Sequence, residues 1–352
     1  MSIWQTYPAS YRSERVQRII RAVRAGACVN LVGLSGAGKS NLLGFLAHRP
    51  DVFPFPVILV DGNRLEQASA PALLRLMCRA LNCPDVPGDA LRAVEDALSR
   101  RLTEPGASLC ILFDRFDPLA GDPISAANLR ALRDAFKYRL TFVLATRRPL
   151  PPDTELAELV FGQTIYLGAL SQADARWNVA RFAARFRQPW EADTGERICA
   201  LSGNYPALLK AVCEALADGT PLDETALRRH PAIRLRVDEF WRDAPPPALL
   251  HACGLENLPL LQPSPPAPAL DPARFTQKEY LLLTYLQAHP GEVCGKDELI
   301  PAVWPEDAIY DRGVRDDSLA QMVRRLRLKI EPDPSNPVHL LTVPGRGYRF
   351  MP

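Results

Sequence analysis

Several residue types and patterns that mark common functional classes are scarce or missing in this sequence. The 352 residues contain five histidines and four methionines, and the eight cysteines nowhere form a CxxC pair. The usual zinc-binding and dithiol redox spacings are therefore excluded, and buried free thiols are expected. No apolar run approaches the roughly 18 to 20 residues that span a membrane, and no internal repeat indicates a solenoid.

The N-terminus also lacks the marks of an exported chain. The stretch MSIWQTYPASYRSERVQRII is amphipathic and charged, with no apolar signal core and no small-residue cleavage site. We therefore expect a cytoplasmic protein with no membrane partner. A formal net charge of +2 leaves room for a locally basic binding face.

Proline, by contrast, is abundant and unevenly placed. There are 34 prolines, and the stretches PPP, QPSPPAP and DP fall within residues 245–272. Such a segment favours extended, semi-rigid chain over helix. We predict a linker there, with a short packed element within residues 249–261, in a chain long enough for two or three domains.

A glycine-rich turn stands between an apolar strand and an apolar helix. Residues 29–32 read VNLV, and GLSGAGKS and then NLLGFLA follow. This is the context that the GxxxxGK[ST] pattern requires, with backbone amides and a helix N-terminus directed at phosphate oxygens. Lys39 would reach the β- and γ-phosphates, and Ser40 would ligate Mg²⁺. We call the following set the phosphate cradle: Gly33, Ser35, Gly36, Ala37, Gly38, Lys39, Ser40 and Asn41.

A second magnesium ligand is expected at the end of a neighbouring strand. Residues 109–113 form an apolar run that closes on Asp114, which we predict as that ligand. An aspartate that only caps a turn is the alternative. Strand-like runs alternate with helical ones along this part of the chain: strands 57–60, 109–113 and 141–145, and helices 70–81, 91–102 and 128–138. The alternation predicts an α/β fold, a parallel sheet in a three-layer αβα arrangement with ligands at the carboxyl ends of its strands.

Residues 171–216 are helical in pattern, with apolar side chains at three- and four-residue spacing. Trp177, Phe182 and Phe186 are predicted as core of this segment rather than as the wall of a ligand site. We call residues 169–244 the lid.

The segments GLSGAGKSNLL, CILFD, LATRR and SGNYPALLK resemble P-loop NTPases of the AAA+ and STAND group, over residues 10 to about 240. The resemblance implies ATP or ADP with Mg²⁺ as cofactors. It maps a γ-phosphate sensor onto Thr146 and Arg147, and it places Pro206 beside the adenine. In the family a single residue separates the glycine from that proline, whereas Asn-Tyr separates Gly203 from Pro206 here.

Arg115 is a second departure from the family's pattern. In the resembling enzymes an acidic residue follows the magnesium aspartate and polarises the attacking water, and an arginine cannot accept a proton at neutral pH. Asp117 is the candidate replacement, so Asp114 and Asp117 are the candidate catalytic residues. We expect tight nucleotide binding with slow ATP hydrolysis.

The chain changes character after the predicted linker. Thr276 and Glu279 form a capping box before the helix YLLLTYLQAH, and a second helix is predicted at 296–304 and a third at 317–330. In the third helix one buried stripe is predicted: Leu319, Met322, Val323, Leu326 and Ile330. Another set points away from that stripe: Gln321, Arg324, Arg325 and Leu328. Strands at 338–343 and 348–350 flank the turn PGRG and predict a hairpin.

The runs FTQKEYLLLTYL, HPGEV, ELIPAVW, SLAQMVRRLRLKIEPDPSNP and LLTVPGRGYRF resemble, in this order, the winged-helix effector domain of the OmpR/PhoB response regulators. The resemblance implies an α+β winged helix that binds double-stranded DNA through Gln321, Arg324 and Arg325. The family's arginine after Thr-Val is replaced by Pro344, so Arg346 is predicted to contact DNA from the wing. Residues 271–352 contain eleven Lys and Arg against twelve Asp and Glu, so non-specific affinity should be modest and salt-sensitive.

The predicted organisation is a P-loop NTPase core at 1–168, the lid at 169–244, the linker at 245–272 and a winged helix at 273–352. Three hypotheses of function remain open. The favoured one is a nucleoid-associated transcriptional regulator, switched by ATP and ADP, that forms nucleotide-dependent homo-oligomers and answers an upstream signalling protein. The others are an AAA+-like ATPase that loads or remodels DNA, and a signalling scaffold whose winged helix binds protein.

Overall fold

The structure is a computed structural model that describes residues 3–83, 90–160, 162–242, 244–261, 274–304 and 312–351, with side chains from Ser318 onward in the last range. The chain forms two compact units, Met1–Leu260 and Leu261–Pro352. The division falls inside the predicted linker, whose residues 262–272 lie outside the described part. Among the described helices, none is long and apolar enough to cross a membrane.

A five-stranded parallel sheet forms the centre of the first unit. Its strands are β1 Val29–Val32, β2 Val57–Asp61, β3 Leu109–Asp114, β4 Leu140–Thr146 and β5 Thr164–Tyr166. They lie in the order β2-β3-β4-β1-β5. Every residue of β1, β3 and β4 is buried, as expected for parallel strands that helices cover on both faces. The predicted α/β architecture is confirmed.

The strand order places β4 between β1 and β3, with Val143 facing Val29 on one side and Leu112 on the other. The carboxyl end of β4 therefore lies between the strand that leads into the phosphate cradle and the strand that ends at Asp114. The resemblance predicts a sensing role for the end of β4, and the strand order places that end between these two strands.

Helices connect these strands and cover them. They are α1 Ser13–Arg24, α2 Lys39–His48, α3 Ala70–Leu81, α4 Ala90–Arg101, α5 Pro123–Phe136 and α6 Glu155–Val160. Helix α5 begins five residues earlier than predicted, because the Asp122 side chain accepts the Ser125 amide N–H and caps it at Pro123. Strand β5 was not predicted, since three residues are too few to show a periodic pattern.

The lid and the segment after it are helical. Their helices are α7 Gln172–Phe186, α8 Ala192–Ser202, α9 Pro206–Ala217, α10 Glu224–Arg229, α11 Pro231–Trp241 and α12 Pro247–Cys253. Helix α12 and the turn Pro259–Leu261 occupy the first half of the predicted linker, and they are packed rather than extended. A Cβ on Gly168 would collide with the Cys253 carbonyl, and one on Gly203 would collide with Leu258.

All eight cysteines are free thiols, and all but Cys83 are buried. Burial raises the pKa of Cys110 to about 12, so this thiol stays protonated and packs as a small apolar side chain. The expectation of buried free thiols is confirmed for seven of the eight.

The second unit combines three helices with a small antiparallel sheet. Its elements are α13 Gln277–Ala288, β6 Val293–Cys294, α14 Lys296–Val303, α15 Arg312–Ile330, β7 Leu340–Val343 and β8 Gly347–Phe350. The strands lie in the order β6-β8-β7. The capping box of Thr276 and Glu279 is present, and the predicted stripe of α15 is buried in the core of this unit. Strand β6, with two residues, was not predicted.

Two charged side chains, the buried Glu331 and the partly buried Arg327, fix the hairpin of β7 and β8 to α15. The Glu331 carboxylate accepts the amide N–H groups of Val338, His339 and Leu340. Arg327 donates to the Leu340 carbonyl at 2.7 Å and to the Thr342 hydroxyl at 2.8 Å. Charge-assisted hydrogen bonds of this kind are short and directional, so they hold the hairpin in a defined position beside the helix.

Candidate functional site

The phosphate cradle forms the tight turn that its glycines predicted. Gly36 and Gly38 have φ values of +84° and +87°, a region that side chains rarely adopt. Helix α2 begins at Lys39, so its N-terminal amides face the same turn. The N-terminus of α9 packs directly on the cradle: the Ala207 amide donates to the Gly36 carbonyl at 3.2 Å, and the Tyr205 hydroxyl donates to the Ser35 carbonyl.

Lys39 is the enclosed cation of the cradle. Its ammonium donates to the Gly33 carbonyl and, at 3.3 Å, to the Leu34 carbonyl. Burial lowers the pKa of Lys39, and Arg147 lowers it further, whereas Asp117 and Asp114 oppose the change. An anion next to this ammonium would stabilise its charged form, which is the electrostatic setting of a phosphate-binding lysine.

The carboxyl ends of β3 and β4 bring the acidic candidates together. Asp114 is 9% exposed, and Asp117 lies in the turn that follows. The Asp117 carboxylate accepts the Arg147 amide N–H at 2.6 Å. Asn30 on β1 donates to the Thr146 hydroxyl at 2.8 Å, so three neighbouring strands are tied together at this edge. Asp117 therefore positions the backbone of the predicted sensor, whatever else it does.

Arg115 does not enter this acidic pair. It has a φ of 51°, and its guanidinium donates to the Asn63 side-chain carbonyl at 2.5 Å. Asn63 is held in turn by the Asp61 carboxylate at 2.7 Å. Arg115, which stands where the family has an acidic residue, is thus bound near the end of β2, at the rim of the site.

A cleft of about 520 Å³ opens above the cradle, within the usual range for small-molecule sites. Ten predicted site residues line it: Ser35, Gly36, Gly38, Lys39, Ser40, Asn41, Asp114, Asp117, Arg147 and Pro206. Gly33 and Ala37 support the cradle through their carbonyls, which accept hydrogen bonds from Lys39 and Arg12. The cradle, the strand ends and the lid lie far apart in the sequence, and residues from all three line one cleft.

The lid supplies the opposite wall, and part of that wall was not predicted. Asn178, Arg181, Phe182 and Arg185 line it from α7, and further residues line it from α9 and α11: Ala207, Leu209, Lys210 and Arg236. Phe182 is buried as predicted, yet it also lines the cleft. Among the lining residues seven are Lys or Arg and two are Asp, so the cleft favours an anionic ligand.

Arg12 ties the cradle to the base of the lid. Its guanidinium donates to the Ala37 carbonyl at 2.8 Å and to the Gly168 carbonyl at 3.1 Å, and it reaches the Ala169 carbonyl at 3.4 Å. Its own amide donates to the Asp174 carboxylate of α7 at 3.0 Å. No local pattern marks Arg12 in the sequence, because its partners are 25 to 162 residues away.

These residues fit a magnesium nucleotide. The cradle offers backbone amides and Lys39 to phosphate oxygens, and Ser40 and Asp114 offer the oxygen ligands that Mg²⁺ prefers. Magnesium would neutralise phosphate charge. Arg181 adds a guanidinium nitrogen, Nη1, that is buried and finds no hydrogen-bond acceptor within the described part of the chain.

The second unit presents a separate basic face. Gln321, Arg324, Arg325 and Leu328 are exposed on α15, opposite its buried stripe, and Arg346 is exposed at the hairpin turn. The Arg325 guanidinium lies 3.9 Å from the Glu279 carboxylate and stays 58% exposed. The predicted outward direction of these side chains is confirmed.

The fold and the two sites define a two-module chain, in which an α/β module with a phosphate cradle precedes a winged helix. Residues 271–350 match the family described as "Transcriptional regulatory protein, C terminal". The second module is therefore a winged helix of the kind found at the C-terminus of transcriptional regulators.

Similar proteins share this second module. The "Sensory transduction protein RegX3" of Mycolicibacterium smegmatis is 44% identical over 80 residues, which are 23% of this chain and 33% of the relative. The "Transcriptional regulatory protein YvrH" of Bacillus subtilis is 42% identical over 71 residues, 20% of this chain and 28% of the relative. The chain thus spans about a third of the length of the curated relatives it matches.

Solved structures whose alignment extends over most of the chain include a Thermotoga maritima RuvB mutant. It has a TM-score of 0.41 and 15% identity, with coverage of 97% of this chain and 92% of that one. Cdc6p of Pyrobaculum aerophilum has a TM-score of 0.45 and 13% identity, with coverage of 92% and 88%. A Walker-type ATPase of Pyrococcus abyssi has a TM-score of 0.46 and 13% identity, with coverage of 96% and 92%.

Proposed function

We propose that this protein is a DNA-binding transcriptional regulator whose DNA affinity is controlled by ATP and ADP. The observation that carries the proposal is the presence, in one chain, of a transcriptional-regulator winged helix at residues 271–350 and of a cleft lined by six of the eight residues of the phosphate cradle. Neither the winged helix nor the cleft, taken alone, would suggest that nucleotide binding controls DNA binding.

The exposed face of α15 supports DNA as the partner. A helix with Gln321 and two arginines on its free side suits the major groove, where glutamine reads adenine and arginine reads guanine or binds phosphate. Arg346 on the hairpin turn suits an adjacent minor groove or the sugar-phosphate backbone. Because residues 271–352 carry no net positive charge, with eleven Lys and Arg against twelve Asp and Glu, affinity would depend on a few specific contacts.

In the first module the nucleotide would be held by the cradle, by Lys39 and by the lid. Arg147 at the end of β4 would face the terminal phosphate, and Pro206 would lie beside the base. Thr146 is buried, and its hydroxyl is bound to Asn30 and to the Arg148 carbonyl, so it would act through Arg147 and not on the phosphate itself. Asp117 already accepts the Arg147 amide N–H, and Arg115 is bound to Asn63. Neither Asp117 nor Arg115 is therefore well placed to act as the general base that activates water. This arrangement favours slow hydrolysis and a long-lived ATP state.

Helix α12 is a candidate route from the cleft to the linker. Burial raises the pKa of Cys253, at its end, to about 11, and the nearby Lys39 opposes this rise. The Cys253 carbonyl packs on Gly168, whose own carbonyl is bound by Arg12. A change at the cradle would thus act on the segment that leads directly into residues 262–272.

We further propose that the ATP form self-associates and that paired winged helices gain affinity through effective concentration. The ADP form would be the resting state, and an upstream signalling protein would control the exchange of ADP for ATP. Light scattering of the full chain tests this step: we expect a higher mass with ATP and Mg²⁺ than with ADP, and equal masses would contradict it.

The experiment that tests the whole proposal is selection of genomic DNA by the full chain with and without ATP and Mg²⁺. We expect enrichment of specific promoter-proximal sites that depends on ATP. Enrichment of DNA without sequence preference, with DNA-stimulated hydrolysis, would instead favour an ATPase that loads or remodels DNA. The absence of any enrichment in either condition would favour a winged helix that binds protein.

A further inference from the structure

Helix α7 turns one face toward the cleft. Asn178, Arg181, Phe182 and Arg185 all line the cleft, and their spacing of three and four residues places them on one side of the helix. Arg181 is held among aromatic rings on this face. Its guanidinium carbon lies 4.8 Å from the ring centre of Tyr7 and 5.1 Å from that of Trp177.

The rings stabilise the Arg181 cation but offer no acceptor to its Nη1 donor. Cation–π contacts engage the face of a guanidinium, whereas its N–H groups point outward in the plane. Nη1 is buried, and the described part of the chain provides it with no hydrogen-bond acceptor. A charged donor without an acceptor destabilises a folded protein, so an acceptor supplied by a ligand in the cleft would stabilise this arrangement.

The surroundings of Arg181 indicate the charge of that ligand. Only two of the residues that line the cleft are acidic, Asp114 and Asp117, and seven are Lys or Arg. Asp117 is already engaged by the Arg147 amide. An anionic acceptor is therefore favoured, and a phosphate oxygen matches the planar donor geometry of a guanidinium.

We infer that Arg181 is an anion-binding residue of the lid, and that its Nη1 donates to a phosphate oxygen of the nucleotide in this cleft. This inference rests on the proposed function, because it assigns a lid contact to the same ligand. The cradle belongs to the sheet and Arg181 to the lid. A phosphate bound by both would hold the lid against the cradle, and the aromatic rings fix the guanidinium in advance so that little entropy is lost on binding.

The test compares the full-length wild type with Arg181→Met and with Arg187→Met. Arg187 is an exposed arginine at the end of the same helix and does not line the cleft, so its substitution is a control for the loss of one charge. Calorimetry gives the dissociation constants of ATP with Mg²⁺ and of inorganic tripolyphosphate. We expect Arg181→Met to weaken both by about tenfold, the effect of one charge-assisted hydrogen bond, and Arg187→Met to change neither by more than about twofold.

The melting temperature of the ligand-free proteins separates this role from a purely structural one. A ligand-binding arginine predicts an unchanged or higher melting temperature for Arg181→Met, because an unsatisfied buried donor has been removed. A lower melting temperature together with wild-type dissociation constants would show a structural clamp and overturn the inference.

The two ligands separate the inference from the proposed function. Arg181-dependent binding of tripolyphosphate by a wild type that binds no ATP would support the inference and contradict nucleotide control. Weaker ATP binding by Arg181→Met with unchanged tripolyphosphate binding would place the acceptor on the nucleoside and overturn the phosphate assignment. A wild type that binds neither ligand would refute both.

Discussion

Two arginines next to the phosphate cradle and the lid differ in environment from the arginines on the outer face of α15. In the first unit, Arg12 is 6% exposed and bound to backbone carbonyls, and Arg181 of the cleft lies against aromatic rings. On α15, Arg325 is 58% exposed, and Arg324 is exposed as well. One set of cations is fixed in a low-dielectric site, and the other extends into solvent.

This difference determines what each region can recognise. A buried cation interacts strongly with a small anion that fits and is little affected by salt. Exposed arginines gain little from any single contact, and they bind a polyanion by releasing counterions, so that affinity falls steeply with salt. This difference agrees with the proposed function, in which the first unit binds a small charged ligand and the second binds nucleic acid, and each prediction below tests one side of it.

Lys39→Ala should have the largest effect. Removal of the Lys39 ammonium would delete the proposed contact of a full positive charge with phosphate, and we expect ATP to bind about 100-fold more weakly, at the upper end for a charge-assisted interaction. Affinity for DNA in the absence of nucleotide should not change, because Lys39 belongs to the other unit. Calorimetry and fluorescence anisotropy measure the two constants, and a parallel loss of both would contradict the separation of roles.

Arg324→Ala should weaken specific DNA binding by about 30-fold, within the range for one base or phosphate contact. Arg274→Ala is the control, since Arg274 is an exposed basic residue of the same unit and carries the same charge. The salt dependence should become shallower in the first variant if the contact is to phosphate. Equal effects of both substitutions would show that only net charge matters and that α15 is not the recognition helix.

Arg12→Lys should weaken nucleotide binding by about tenfold, because an ammonium lacks the planar fork that holds the Ala37 and Gly168 carbonyls together. Arg15→Lys is the matched control. Arg15 lies on the neighbouring helix α1 and donates to the Tyr166 carbonyl at 3.3 Å without reaching the cradle. Calorimetry measures the dissociation constant of ATP for each variant. Equal constants for Arg12→Lys and Arg15→Lys would refute the role of Arg12.

The smallest predicted effect is on the stability of the winged helix. Glu279 is 1% exposed. Burial alone would raise its pKa, but hydrogen bonds from Lys329 and the Thr276 backbone, together with the Lys329 charge, hold that pKa below its ordinary value of 4.5. The folded state thus binds the proton less tightly than the unfolded state, and Glu279 stabilises the fold above about pH 4.5.

As the pH falls through the depressed folded pKa, this contribution should be lost. At pH 7 Glu279→Gln should lower the free energy of unfolding by about 1 kcal/mol, and the wild type and the variant should converge in stability under acid conditions. Urea unfolding at several pH values measures the difference. A constant difference between the two proteins at all pH values would show that the ion pair does not contribute.

The sequence allowed the cradle to be predicted residue by residue because its chemistry is local. Glycines, lysine and serine lie within eight consecutive positions between a strand and a helix, and each residue type has a separate physical reason. Asp114 was predictable because an acidic residue ends an apolar run. The exposed face of α15 followed from helical periodicity alone.

The lid wall and the Arg12 contacts were not predictable, because they join residues that lie far apart in the sequence. Arg12 and Gly168 are 156 residues apart, and an isolated arginine in an amphipathic segment has many possible partners. Arg181 belongs to a helix whose aromatic residues were assigned to the core, and its contact with Tyr7, which packs beside Trp177, joins residues far apart in the sequence. Strands of two or three residues were also missed, since they are too short to show alternation.

The central claim is that nucleotide in the first unit controls DNA affinity in the second. Its most direct test is the dissociation constant of one selected DNA duplex, measured by anisotropy with ATP and Mg²⁺ and again with ADP and Mg²⁺. Both nucleotides are used at concentrations that just saturate the wild type, and the same concentrations are used for Lys39→Ala. The predicted result is DNA binding at least about tenfold tighter with ATP in the wild type, a coupling of about 1.4 kcal/mol, and no difference in Lys39→Ala. Equal DNA affinities in a wild type that is saturated with either nucleotide would contradict the claim.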